Sequence, residues 1–229
     1  MSTVSGAATT RKSVPSRQRR LMKDRAYESL KQLILSETFE AGAFLSERQL
    51  AIRLKMSKTP IKSALERLES EGFIAVSPQQ GIVVQDLTLE EIADHFEVRE
   101  ALETYVVRRL AGRLTTEQVL RMRSNLAAQK ATIEQLDGPA NRQLDTEFHL
   151  LWCEFFGNRE IIEVMQRLRD RIHRIISRAN ASDPLRMNEG YVEHVRIAEA
   201  VIAGNGDLAA GSVVEHLKLG KLCLLEPRR

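Results

Sequence analysis

Apolar positions recur at helical spacing over Ala26 to Leu35, where Ala26, Tyr27, Leu30, Leu33 and Ile34 share one face. That helix is expected to end near Glu37, before a Glu40-Ala41-Gly42-Ala43 loop. Ser46 followed by Gln49 is a capping-box pattern and predicts a short helix running to about Leu54. After a turn over 55–58, Thr59 is the expected cap of a third helix, with Pro60 at its first position. Ile61, Ala64, Leu65 and Leu68 give that helix a single apolar face, and Gly72 stops it. Phe73–Val76 and Ile82–Val84 then read as two short strands joined by a turn over 77–81.

From about Leu87 the pattern is helical throughout. Thr88 caps a helix bearing Ile92, Phe96, Leu102, Tyr105, Val106 and Leu110, which Gly112 ends. A second opens at Thr115-Thr116-Glu117-Gln118 and runs to about Leu136, where Asp137-Gly138-Pro139 breaks it. Further helices are expected over Ala140–Phe156, Glu160–Ala179, from Asp183-Pro184 to Gly204, and from a cap at Asp207 to about Leu225. The fold class is therefore mainly α. A winged helix-turn-helix over residues 21–85 is followed by an all-α antiparallel helical bundle over 88–229, across a short boundary.

Charge adds a partner to this outline. Residues 1–85 hold 14 Lys/Arg against 8 Asp/Glu, whereas the remainder holds 20 against 23. A basic first third on a slightly acidic remainder points to a polyanion at the N-terminal domain. Residues 1–20, basic and rich in Ser and Thr, read as a disordered tail. With 5% aromatic and 43% hydrophobic residues, the core must rest on aliphatic side chains. No apolar run nears the roughly 20 residues that span a bilayer, and the N-terminus lacks a secretory apolar region. Cys153 and Cys223 have no metal-type spacing. A cytoplasmic protein with reduced thiols is expected.

The third helix begins with Lys58 and Lys62 on its polar side, and a helix N-terminus offers free N–H groups to phosphate. Five histidines occur, at 95, 149, 173, 194 and 216. Asp145 and His149 are four apart on one helical face, while His194 and His216 lie on the last two helices. One carboxylate and three imidazoles inside a bundle suit a divalent transition metal with positions left open. Such a centre would also suit a metal-dependent hydrolase that activates water. No general base comparable to the Glu of a His-Glu-x-x-His motif accompanies it, and an enzyme would leave the winged helix unexplained.

The stretches Leu45-Ser46-Glu47-Arg48-Gln49-Leu50-Ala51, Ser57-Lys58-Thr59-Pro60-Ile61-Lys62-Ser63-Ala64-Leu65, Leu68-Glu69-Ser70-Glu71-Gly72-Phe73 and Gly81-Ile82-Val83-Val84 resemble the GntR family of bacterial regulators. Glu97-Val98-Arg99-Glu100-Ala101-Leu102-Glu103 and the helices after it resemble the FadR-type effector domain, called FCD. The resemblance implies a homodimeric, ligand-responsive transcriptional regulator, a repressor rather than an enzyme, that binds a pseudo-palindromic double-stranded operator. It assigns DNA contact to Arg48, Ser57, Lys58, Thr59, Lys62, Gln80 and Gly81. It assigns a metal (zinc, with nickel or manganese as alternatives) to Asp145, His149, His194 and His216. Arg99 falls in the family's Arg-containing motif and would clamp a small carboxylate effector; otherwise it pairs with Glu103 at i, i+4. The family usually carries Arg-Glu where this chain has Lys62-Ser63, and Lys lacks the planar fork that bonds guanine bidentately.

Overall fold

The computed structural model describes residues 16–36, 38–77, 81–86, 88–179 and 184–225, with the side chains of 16–19, 171–179, 184 and 225 left aside. The chain divides into two compact units, residues 1–86 and 87–229.

The first unit comprises α1 (Ser16–Leu35), β1 (Phe44–Leu45), α2 (Glu47–Leu54), α3 (Lys58–Ser70), β2 (Ile74–Ser77) and β3 (Gly81–Val84). Its core joins Ala26, Tyr27, Leu30 and Ile34 of α1 to Leu50 of α2 and to Ile61, Ala64, Leu65 and Leu68 of α3. Phe73, Ile74, Ile82 and Val84 close the core from the hairpin. Burying each such Leu or Ile contributes about 1.5–3 kcal/mol, so one apolar stripe suffices to dock α3.

Four local expectations need correction. Residues 16–20, read as disordered tail, are the first turns of α1; Met1–Pro15 lie outside the described residues. Arg17, Gln18, Arg19 and Arg20 form helix readily but carry no apolar stripe, so periodicity passed over them; the packed turns downstream remove the cost of nucleation. The third helix is capped by Ser57 rather than Thr59. Pro60 thus falls at its third position, where the N–H it lacks would have had no intrahelical acceptor. A third strand, β1, was not foreseen: two residues are too few for alternation to register. It pairs antiparallel with β3 (Phe44 opposite Val83, Leu45 opposite Ile82), giving the order β1-β3-β2. Finally, the last helix is capped by Asn205, whose Oδ1 accepts from the Leu208 N–H at 3.0 Å, and not by Asp207.

A polar knot fastens α1 to the end of α3. The Tyr27 hydroxyl donates to Glu71 at 2.7 Å, and Lys31 donates to Tyr27 at 2.7 Å. Arg67 donates to the same Glu71 at 3.0 Å and lies 3.6 Å from the Tyr27 ring centre. The buried Lys31 is thereby paired.

The second unit holds α4 (Leu89–Leu110), α5 (Thr116–Glu134), α6 (Gly138–Phe156), α7 (Arg159–Ala179), α8 (Pro184–Ile202) and α9 (Gly206–Leu225). Thr88 with Glu91 and Thr115 with Gln118 form complete capping boxes at the starts of α4 and α5. The pairs Arg108–Asp207 and Lys221–Glu97 run α4 and α9 antiparallel. Arg121–Glu154 and the Asn125 bond to the Leu144 carbonyl do the same for α5 and α6. The core centres on Phe148, Trp152, Met122, Ile197, Val201 and Leu217. Where α4 ends against the α8–α9 loop, glycine makes room for backbone. A Cβ on Gly206 would stand 3.2 Å from the Arg108 carbonyl oxygen, and one on Gly112 3.3 Å from the Gly204 Cα. Among the described residues, no helix is long and apolar enough to cross a membrane.

Candidate functional site

Two groups of side chains stand out, one in each unit. In the first unit, Arg48 on α2 and Ser57, Lys58, Thr59 and Lys62 around the start of α3 are all exposed. Among the described residues, Arg48, Lys58 and Lys62 have no ion-pair or hydrogen-bond partner. Arg53 and Arg67, by contrast, lie against the Phe39 and Tyr27 rings. Ser57 makes no side-chain cap bond, so the first N–H groups of α3 are left open beside two lysines. Gly81 starts β3 with φ 86°, and a Cβ there would stand 3.2 Å from the Leu45 carbonyl oxygen. The hairpin therefore needs glycine at 81 for both its turn and the close approach of β1. Gln80 lies outside the described residues.

In the second unit, α6 contributes Asp145 and His149, α8 His194, and α9 His216. One donor atom from each gathers within 4.8 Å of the others. The His216 Nε2 is 3.1 Å from that of His149 and 3.4 Å from that of His194, and Asp145 Oδ1 is 3.4 Å from the His194 Nε2. Donors about 2.0–2.1 Å from one ion lie about 3.0–3.4 Å apart, so these three contacts have the spacing of neighbouring metal ligands. The three rings are buried, whereas the Asp145 side chain is 35% exposed and opens one side. His95 is not in the group; the side chain of His173 is outside the described ones.

The outward nitrogens set the tautomers. His149 Nδ1 meets Glu103 at 2.6 Å, His216 Nδ1 meets Glu193 at 2.6 Å, and His194 Nδ1 meets the Gln129 Oε1 at 2.9 Å. Burial alone would raise both carboxyls. For Glu103, the charges of His149 and Arg99 outweigh it and hold the group at about 2. For Glu193, hydrogen bonds from His216 and Arg186 do so, also at about 2. Ionised carboxylates and an amide oxygen only accept, so each Nδ1 donates, and whenever a ring is neutral its Nε2 turns a lone pair inward. Burial, with help from neighbouring rings, pushes His194 well below the usual histidine range, and burial lowers His216 too. Neutral imidazoles are the metal-binding form. Three lone pairs facing one another repel, and a cation among them removes that repulsion.

Arg99 on α4 donates through Nε to Glu103 at 2.8 Å, the intrahelical pair foreseen as its alternative role. It is not a surface pair, since Glu103 is fully buried and Arg99 nearly so. Among the described residues, the two terminal nitrogens of Arg99 have no partner, so the pair leaves part of the guanidinium free.

The roles of Glu103, Gln129 and Glu193 as partners of the three histidines escaped the sequence reading. For Gln129 a signal existed. Met122, Asn125, Gln129 and Thr132 repeat at helical spacing on the buried face of α5, and three polar residues in such a stripe mark an internal network.

Comparison with known proteins agrees with both halves. Residues 22–84 match the bacterial regulatory proteins of the gntR family, and residues 94–219 match the FCD domain. The chain is 25% identical over 194 residues to the HTH-type transcriptional repressor RspR of Escherichia coli K12, covering 84% of each. It is 30% identical over 170 residues to the gluconate operon transcriptional repressor of Bacillus licheniformis, covering 74% of this chain and 68% of that one. Among solved structures, E. coli McbR/YncC has the same fold, with a TM-score of 0.77 at 20% identity over 90% of this chain and 97% of that one. The relatives are regulators, which leaves the hydrolase alternative without support. With both domains matched and more than half the chain inside the second, this protein belongs to the GntR family, as a DNA-binding transcriptional regulator with an FCD effector-binding domain.

Proposed function

We propose that this protein is a homodimeric repressor whose bundle binds a divalent metal through Asp145, His149, His194 and His216 and senses a small carboxylate there. The observation that carries the reading is the inward convergence of three Nε2 lone pairs and one carboxylate oxygen, each ring fixed from outside through Nδ1. Zinc suits the nitrogen-rich donor set, with nickel and manganese as alternatives. A bound metal would supply a Lewis-acidic position for an effector oxygen. Arg99 would hold the effector's carboxylate through its terminal nitrogens, while Glu103 keeps the guanidinium in place. Outside the bundle, Arg48, Ser57, Lys58, Thr59, Lys62, Gln80 and Gly81 would contact operator DNA, with Lys62 a point charge where relatives carry a fork. An effector that binds one arrangement of the bundle more tightly changes operator affinity by that difference and no more.

The test is a thermal-shift screen of small organic acids on the metal-stripped chain, with and without zinc. Zinc should raise the melting temperature, an acid should raise it further only with zinc present, and Arg99→Ala should abolish the second rise alone. Acids that act equally after chelation would sink the metal-linked site. A mobility shift with no sequence preference and no salt dependence would sink the operator reading.

A further inference from the structure

The metal donors come from α6, α8 and α9, yet α5, which supplies none, touches two of them through a chain of neutral amides. His194 Nδ1 meets the Gln129 Oε1 at 2.9 Å. The Gln129 Nε2 donates to Asn125 Oδ1 at 2.7 Å, and Asn125 Nδ2 donates to the backbone carbonyl of Leu144 at 3.1 Å. Asn125 and Gln129 are four apart on α5 and 7% and 2% exposed. Leu144 directly precedes Asp145. Both amides therefore lie buried between a ligand on α8 and the backbone beside a ligand on α6.

The direction of this chain is fixed from its far end. A backbone carbonyl can only accept, so Asn125 must present its NH2 to Leu144 and its oxygen to Gln129. Gln129 must then present its NH2 to Asn125 and its oxygen to His194. An amide oxygen can only accept, so His194 must carry its proton on Nδ1, and the lone pair of Nε2 faces the other donors. Either amide turned over would set two donors or two acceptors face to face in a buried site, at the full cost of unpaired groups.

We infer that Gln129, oriented by Asn125 against the Leu144 carbonyl, is the positioning residue that fixes the tautomer of His194 and ties the α8 and α6 ligands into one register. The inference rests on the metal reading above for its consequence but not for its geometry. It also separates the three histidines. His149 and His216 are each backed by a carboxylate that an arginine neutralises, Glu103 with Arg99 and Glu193 with Arg186. His194 alone is backed by a neutral amide. Its support brings no charge, so its effect runs through orientation rather than through basicity.

The experiment uses the full chain stripped of metal. Two-bond proton–nitrogen correlation of the histidine rings reads each tautomer directly, and zinc alone is then titrated by calorimetry. The parent should show His194 protonated on Nδ1. Gln129→Met, close in volume and without an acceptor, should populate both tautomers and weaken zinc by about 10- to 100-fold. Gln129→Glu retains an acceptor and should recover the Nδ1 tautomer and most of the affinity. Asn125→Leu frees the Gln129 amide to turn and should give a smaller loss. A parent His194 protonated on Nε2 would overturn the inference, as would a Gln129→Met variant with the parent's tautomer and affinity. If the parent takes up no zinc, the metal reading fails by itself, and the tautomers of the metal-free parent and variants still decide the relay. If Gln129→Met does not fold, the parent's tautomer and the Asn125→Leu variant decide it.

Discussion

In the first unit Arg48, Lys58 and Lys62 stand exposed with no partner among the described residues, whereas in the second His149, His194 and His216 are buried and each is held by a further side chain. On the proposed reading, the contrast follows from what each group would meet. A phosphate backbone brings its own charge and shape, so cations on a docked helix need only stay uncommitted. A small ion or acid brings little binding surface, so the protein must organise the donors beforehand and bear the desolvation itself. Substitutions should therefore act on opposite properties: stability and ligand binding in the bundle, operator affinity in the winged helix.

The largest effect should come from Glu103→Ala. It strands Arg99 and His149 in the core, and breaking a buried pair costs about 3–5 kcal/mol, readable as a lower urea midpoint. Acidification should be next. Unfolded histidines take up protons near their ordinary 6.5, whereas buried His194 and His216 resist until lower pH. The metal-free bundle should be at full stability above about pH 6.5 and lose it progressively below. Glu103 and Glu193 add a second loss as pH falls from their ordinary 4.5 toward about 2. Trp152, buried in α6 and the one tryptophan of the chain, reports this unfolding by fluorescence. A flat profile between pH 7 and 5 would contradict the burial of neutral imidazoles.

Zinc at a hundred times its Kd should stabilise the parent by about 2.7 kcal/mol and His216→Ala hardly at all, with operator affinity of the two metal-free forms alike. Lys62→Ala should do the reverse: no change in zinc response, and weaker DNA binding. If Lys62 holds a phosphate, the salt slope should drop by about one at every sequence; if it reads a base, the loss should be about 1–3 kcal/mol at one operator position. The smallest effect is Arg67→Ala, a half-exposed pair, which should lower stability by at most about 1 kcal/mol and leave Glu71 to Tyr27 and Lys31.

The same contrast explains what the sequence made legible. Helices with one apolar stripe and a capping residue, such as α4 behind Thr88, are specified by neighbours a few positions apart, and their limits were readable to within a residue or two. The four candidate ligands are legible because Asp145 and His149 share a helical face, His194 and His216 fall on the last two helices of the bundle, and the resemblance matches all four. Their supports could not be named that way: Glu103 lies 46 positions from His149 and Gln129 65 from His194, and no local pattern encodes such a pairing. Short elements failed for the opposite reason, since β1 is too brief to have a pattern, and the cap shift from Thr59 to Ser57 turns on which of several hydroxyls has extended backbone.

The glycine at 206 has a mechanical consequence. Helix α9 is a rod that begins there, with the backbone of Arg108 3.2 Å from where a Cβ would go, and His216 rides ten residues along it. At a rise of about 1.5 Å per residue that is about 15 Å along the helix axis. One methyl group at 206 would require the Arg108 backbone or the start of α9 to give by a few tenths of an ångström. The seating of the helix that carries His216 is thus set at its near end by an atom that is not there.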